Sequence, residues 1–157
     1  MPTGGQERFE LAAAALGIDV AATEYPDGTR TAADAAAAIG CDVAQIVKSL
    51  VFTADGRPIL ALTSGANRVA VGRLAEAAGV DVVAQADADT VRAATGFAIG
   101  GTPPFGHDQV LDTYIDPDLL THETVWAAAG TPSTCFPIAP AALLAVTNAI
   151  EAEFAQR

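Results

Sequence analysis

Apolar and polar positions along the chain switch repeatedly between helical and strand spacing, with turn residues near most of the changes. From Glu7 to Leu16 the apolar positions Phe9, Ala12, Ala13 and Leu16 share one helical face. Gly17 follows where a left-handed residue commonly ends a helix. Thr31 and Asp34 resemble a shortened capping box that opens an alanine-rich helix closed by Gly40, and Asp42 can cap one further short turn. Ile46 to Thr53 is β-branched and aromatic enough for a strand. The turn Ala54-Asp55-Gly56-Arg57-Pro58 then leads into a second strand over Ile59 to Thr63, so a hairpin is expected. Helices are expected from Val71 to Ala78, ending at Gly79, and from a cap at Asp87 to Gly96. After a Gly/Pro segment, strands are expected over Val110 to Ile115, Thr124 to Ala128 and Thr134 to Ile138. Asp116-Pro117 has the order of a helix start, and Pro140 opens a last helix with Leu143, Leu144 and Val146 available for packing. Strands joined by short turns, with helices between some pairs, predict an α/β fold on a mixed or largely antiparallel sheet.

Composition narrows the class. The chain has 157 residues, 51% of them hydrophobic, which suits one domain spanning 1–157 and argues against disorder. The longest apolar stretch, Leu11 to Ala22, is interrupted by Gly17 and Asp19, so no membrane span is expected. The N-terminal residues lack a basic region followed by an apolar one, and two cysteines make no disulfide framework. A soluble protein of the reducing cytoplasm is the simplest expectation. The formal net charge of −11 argues against extensive duplex nucleic-acid binding, which needs many Lys and Arg on phosphates.

Two features stand out chemically. Lys48 is the chain's single lysine and lies inside an apolar strand-like run, where an ammonium is costly unless paired. Two readings stand: a compact cation placed for function, or a residue that strand alternation turns to solvent, even a guard on an edge strand. The second feature is Gly100-Gly101-Thr102-Pro103-Pro104-Phe105-Gly106, in which paired glycines and stiffening prolines could present backbone N–H groups to an oxyanion or phosphate, or could simply be a loop. His107 follows this loop as a candidate acid, base or donor, and His122 carries little signal. Cys135 reads better as a small buried residue than as a nucleophile, since nothing marks an activated thiolate. No metal-ligand spacing, Walker loop, dinucleotide fingerprint or nucleophile elbow occurs, so neither a metal nor a cofactor is expected.

Taken together, Lys48 and the Gly/Pro loop resemble the YbaK, or prolyl-tRNA-synthetase-associated, editing-domain family over nearly the whole chain. The resemblance is carried by Gln45 to Phe52, Gly65-Ala66-Asn67-Arg68-Val69, Thr95 to His107, and Ala129 to Pro137, in matching order and spacing. It implies a compact domain whose curved mixed sheet is flanked by helices. It also implies trans-editing, the hydrolysis of the ester that joins a wrong amino acid to a tRNA 3′ end. Lys48 would then help hold the aminoacyl end, and Gly100 and Gly101, in the loop ending at Pro104, would lie against the reacting carbonyl. Thr102, Pro103, Pro104 and the early Tyr25 would line the substrate site. The tRNA 3′ end is the implied partner, and a synthetase is a further one. An activated ester needs orientation and oxyanion stabilisation more than a strong base, so the missing triad fits this chemistry.

Departures bear on specificity. Relatives commonly carry Thr or Asn where this chain has Ser49, and the cysteine-specific branch has an acidic residue at Cys135. A small amino acid such as alanine, serine, threonine or one of cysteine's size is the expected substrate class, with Ser49, His107 and Cys135 as candidate polar contacts. The alternatives are a non-catalytic module that binds an amino acid, a nucleotide or a synthetase, and, last, a catalytic Cys135.

Overall fold

The computed structural model describes residues 4–29 and 31–156. Its centre is the expected hairpin, formed by β2 (Ile46–Ala54) and β3 (Arg57–Ser64) in a register that sets Lys48 opposite Thr63. Asp55 and Gly56, at φ 48° and 88°, make the two-residue turn with the twist that suits a hairpin. β3 pairs in parallel with β5 (Asp112–Ile115), which pairs in parallel with β8 (Ile150–Glu151). On its other edge β2 meets β6 (Val125–Ala128) in parallel and β4 (Val83–Gln85) antiparallel. β7 (Thr134–Ile138) and β1 (Thr23–Glu24) then extend the β6 side, completing an eight-stranded mixed sheet.

The helices form where their caps direct. α1 spans Gly5–Ala15, α2 Ala32–Ile39, α3 Val71–Ala78, α4 Ala88–Thr95 and α5 Pro140–Thr147. The Thr31 hydroxyl accepts from the Asp34 N–H at 3.1 Å and Asp87 accepts from the Thr90 N–H at 2.8 Å, while Gly40, Gly79 and Gly96 end their helices in the left-handed region. Asp42 closes a capping box with Gln45 around one 3₁₀ turn. The Asp116-Pro117 start opens a 3₁₀ turn, Pro117–Thr121, not an α-helix.

Both sheet faces are covered, which is why the strand sequences run apolar with little alternation. On one face Val47, Val51, Leu60, Leu62, Ile115 and Val125 pack with Phe9, Phe97 and Leu143. On the other, Phe52, Ile59, Ala61 and Tyr114 pack with Leu74 and Phe154, and farther along that face Ile46 and Cys135 meet Ala35 and Ala36 of α2.

Two expectations need correction, and three short strands were not expected. Leu16 lies beyond α1 and is 53% exposed, so Phe9 and Ala13 carry that helix's packing. The strand expected from Val110 begins at Asp112, and Val110 is fully exposed. The two- and three-residue strands β1, β4 and β8 had no sequence signal, because such short elements are defined by the edges that they meet.

Candidate functional site

The candidate site begins with an opening in the sheet. The pairing of β2 with β6 ends at Val47↔Ala127 and that with β4 begins at Phe52↔Gln85; the Ala86 N–H reaches Val51 O at 3.2 Å. Between these points Lys48, Ser49 and Leu50 have β3 on one side and no strand on the other. A cavity of about 480 Å³ occupies this opening, within the usual size of small-ligand sites. Lys48, Ser49, Asn67, Arg68, Gly100 and Thr102 line one part of it, and Ala35, Ile46, Trp126 and Cys135 line an apolar part.

Lys48 is half-buried, on a central strand of the sheet but in a stretch that has no partner strand on one side. Its Nζ donates to the backbone carbonyl of Asn67 at 2.5 Å. Burial, then the nearby Arg68 guanidinium, push its pKa below the ordinary lysine value, and Asp116 partly offsets them. Ser49 alternates to the opposite face from Lys48, and its buried Oγ has no hydrogen-bond partner among the described residues.

The Gly/Pro loop is held from both ends. Phe97 and Phe105 are buried, and Phe105 stacks with Phe9 and Phe136 at centroid distances of 5.1 and 5.9 Å. Arg8 lies over the Phe97 ring at 4.6 Å and donates to Gly96 O at 2.6 Å. Within the loop the Gly101 N–H and the Thr102 hydroxyl both donate to Ala98 O at 3.0 Å. Gly100 sits at φ 89°, in the left-handed region that favours glycine. A Cβ on Gly101 would stand 2.7 Å from the Thr131 carbonyl carbon, so glycine permits the close approach of this loop to Thr131-Pro132.

The expected site residues therefore separate. Lys48, Ser49, Gly100, Thr102 and Cys135 meet at one cavity. Gly101 and Pro103 are buried behind its loop, and the Gly101 N–H is committed to Ala98. Tyr25 packs behind the apolar wall, against the cluster that contains Cys135. Pro104 and His107 line a different cavity of about 480 Å³ with Leu16, Val110 and Val146. The His107 Nε2 pairs with Pro103 O at 2.6 Å, and burial pushes the imidazole pKa down. Burial likewise pushes the Cys135 thiol up, with a Thr29 hydrogen bond opposing it. No group of three or more His, Cys, Asp or Glu able to hold a metal occurs among the described residues.

Four residues at or beside this cavity had no signal of their own in the sequence. Trp126, Asn67 and the exposed Arg68 line the cavity, the Asn67 carbonyl also accepts from Lys48, and Asp116 accepts from the Asn67 carboxamide. Asn67 and Arg68 stood inside a segment that carried the resemblance, but nothing local linked them to Lys48. Asp116 looked only like a cap.

Lys48 and part of the glycine loop thus line one cavity at an opening in a mixed sheet. The chain belongs to the aminoacyl-tRNA editing domain family, whose profile matches residues 26–146. It is 27% identical over 124 residues to EbsC of Enterococcus faecalis, a protein named as a candidate Cys-tRNA(Pro)/Cys-tRNA(Cys) deacylase, covering 78% of this chain and 76% of that one. A 92-residue stretch, 59% of this chain but 16% of the relative, is 33% identical to the proline–tRNA ligase of Nitratidesulfovibrio vulgaris. A crystal structure described as a candidate trans-editing enzyme for prolyl-tRNA synthetase superposes at a TM-score of 0.93, with 42% identity and full coverage of both chains. No helix among the described residues is long and apolar enough to cross a membrane.

Proposed function

We propose that the protein is an aminoacyl-tRNA deacylase that hydrolyses the ester between a small amino acid and the 3′ end of a mischarged tRNA. One observation carries the reading: Lys48, Gly100 and Thr102 line the same cavity, at an opening in the sheet. The Lys48 ammonium, already bound to a carbonyl, orients the aminoacyl end. The N–H groups of Gly100 and Thr102, which make no hydrogen bond to the described residues, face the carbonyl oxygen as it becomes an oxyanion. Water adds to the carbonyl carbon, the bond to the ribose oxygen breaks, and the proton lost by the water ends on that oxygen. Among the described residues no Asp, Glu or His lines the cavity, so the proton passes through bound water or the neighbouring ribose hydroxyl. The apolar wall of Ala35, Ile46, Trp126 and Cys135 receives a small side chain and excludes larger ones.

The same lack of a carboxylate or imidazole favours one second reading, a module that binds the aminoacyl end without turnover. A panel of mischarged tRNAs separates the two. Release of a small amino acid by wild type but not by Lys48→Ala supports the deacylase. Equal, slow release by both refutes it, and tight binding of an aminoacyl-adenosine analogue without release supports the module.

A further inference from the structure

Asp116 is 1% exposed, yet its carboxylate is supplied with donors from three directions. Oδ2 accepts from the Ser64 N–H at 3.1 Å and from Asn67 Nδ2 at 2.8 Å, and Oδ1 accepts from the Asp118 N–H at 3.0 Å. Its own N–H donates to Leu62 O at 2.9 Å, which fixes it beside the end of β3. A cap for the 3₁₀ turn needs only the Asp118 bond and can stay in water, where carboxylates are cheaply placed. The other two bonds tie the turn after β3 to the end of β5. That turn carries Asn67, whose carboxamide is pinned between Asp116 and Asp118, the latter at 2.7 Å, while its backbone carbonyl receives the Lys48 ammonium at 2.5 Å.

We propose that Asp116 is a positioning residue for Lys48, acting through Asn67: the buried carboxylate fixes the turn, and the turn's carbonyl fixes the ammonium. Lysine is a flexible four-carbon stem with a rotatable head, so it points reliably only when its last atom is held. A backbone carbonyl can hold it without neutralising it, which leaves the charge for substrate. The carbonyl can do so only if the turn itself is rigid, and Asp116 supplies that rigidity from outside the cavity. The functional half of this claim rests on the deacylase reading; the structural half does not.

The single lysine makes the test specific. The full chain is prepared with 13C at the lysine Cε, and the one side-chain resonance is followed in wild type, Asp116→Asn and Asn67→Ala, together with single-turnover deacylation and the thermal midpoint. Asp116→Asn keeps the shape but sets an NH2 group against one of the donors. Asn67→Ala keeps the backbone carbonyl and the other Asp116 bonds while freeing the turn. In both variants the Lys48 resonance is expected to move toward that of a free lysine. The deacylation rate constant should fall between about tenfold and a hundredfold, with the half-saturating tRNA concentration nearly unchanged. A Lys48 resonance unchanged in Asn67→Ala overturns the proposal, as does a wild-type rate constant in that variant. If Asp116→Asn does not fold, Asn67→Ala decides alone. If wild type releases no amino acid from any tRNA, the deacylase reading fails, and the resonance still decides whether Asp116 and Asn67 hold Lys48.

Discussion

The Lys48 ammonium is bonded to the backbone carbonyl of Asn67, not to a carboxylate. It lies half-buried beside a second cation, Arg68, and the carbonyl that holds it brings no formal charge of its own. Both its chemistry and its cost to the fold follow from this arrangement.

Lys48→Met should abolish measurable deacylation while raising stability near neutral pH. Burial and Arg68 lower the folded-state pKa, so the unfolded chain binds the proton more tightly. Stability of the wild type then rises with pH between the folded value and the ordinary lysine value. Urea unfolding across that range should show wild type gaining on Lys48→Met as pH climbs; parallel curves would contradict it.

The loop glycines should fail for different reasons. Gly100→Ala strains a left-handed residue, costing about 1–2 kcal/mol. Gly101→Ala forces the loop away from Thr131, costing about 1–3 kcal/mol by overpacking. Both should lose activity and lower the unfolding midpoint of the intact chain, Gly100→Ala through backbone strain and Gly101→Ala through the displaced loop.

Cys135 should not behave as a nucleophile. It is buried, its thiol is pushed up, and the His107 imidazole lines a different cavity. Cys135→Ala should still turn over, with an altered preference among small amino acids. Mass spectrometry after brief alkylation at neutral pH should find Cys135 unmodified in folded protein.

Cavity size should set substrate size. Ala35→Leu extends into the apolar wall and should shift release toward the smallest amino acid of the panel. An unchanged ranking would remove that wall from the substrate site.

Much of the fold was legible because its signals are local. Thr31, Asp87 and Gly40 act within one turn of chain, and the hairpin from Ile46 is fixed by its own Asp55-Gly56 turn. The site was legible only in part. Lys48 and Gly100 stood out because an ammonium in an apolar run and a paired glycine are each unusual for their surroundings. Asn67 and Asp116 are ordinary turn residues until folding brings them together. His107, equally prominent in sequence, turns away because the Phe105 anchor and the Pro103 carbonyl direct it to the other cavity.

By itself, then, the sequence determined the order of the longer helices and strands, the centre of the sheet and the candidates Lys48 and Gly100. Only tertiary structure decided that β6 and β4 leave an opening over Lys48 to Leu50, and that a buried carboxylate holds the carbonyl that holds the lysine. Capping and turn preferences act over three or four neighbouring residues. A strand's missing partner and a hydrogen bond spanning 49 residues exist only once the chain has closed on itself.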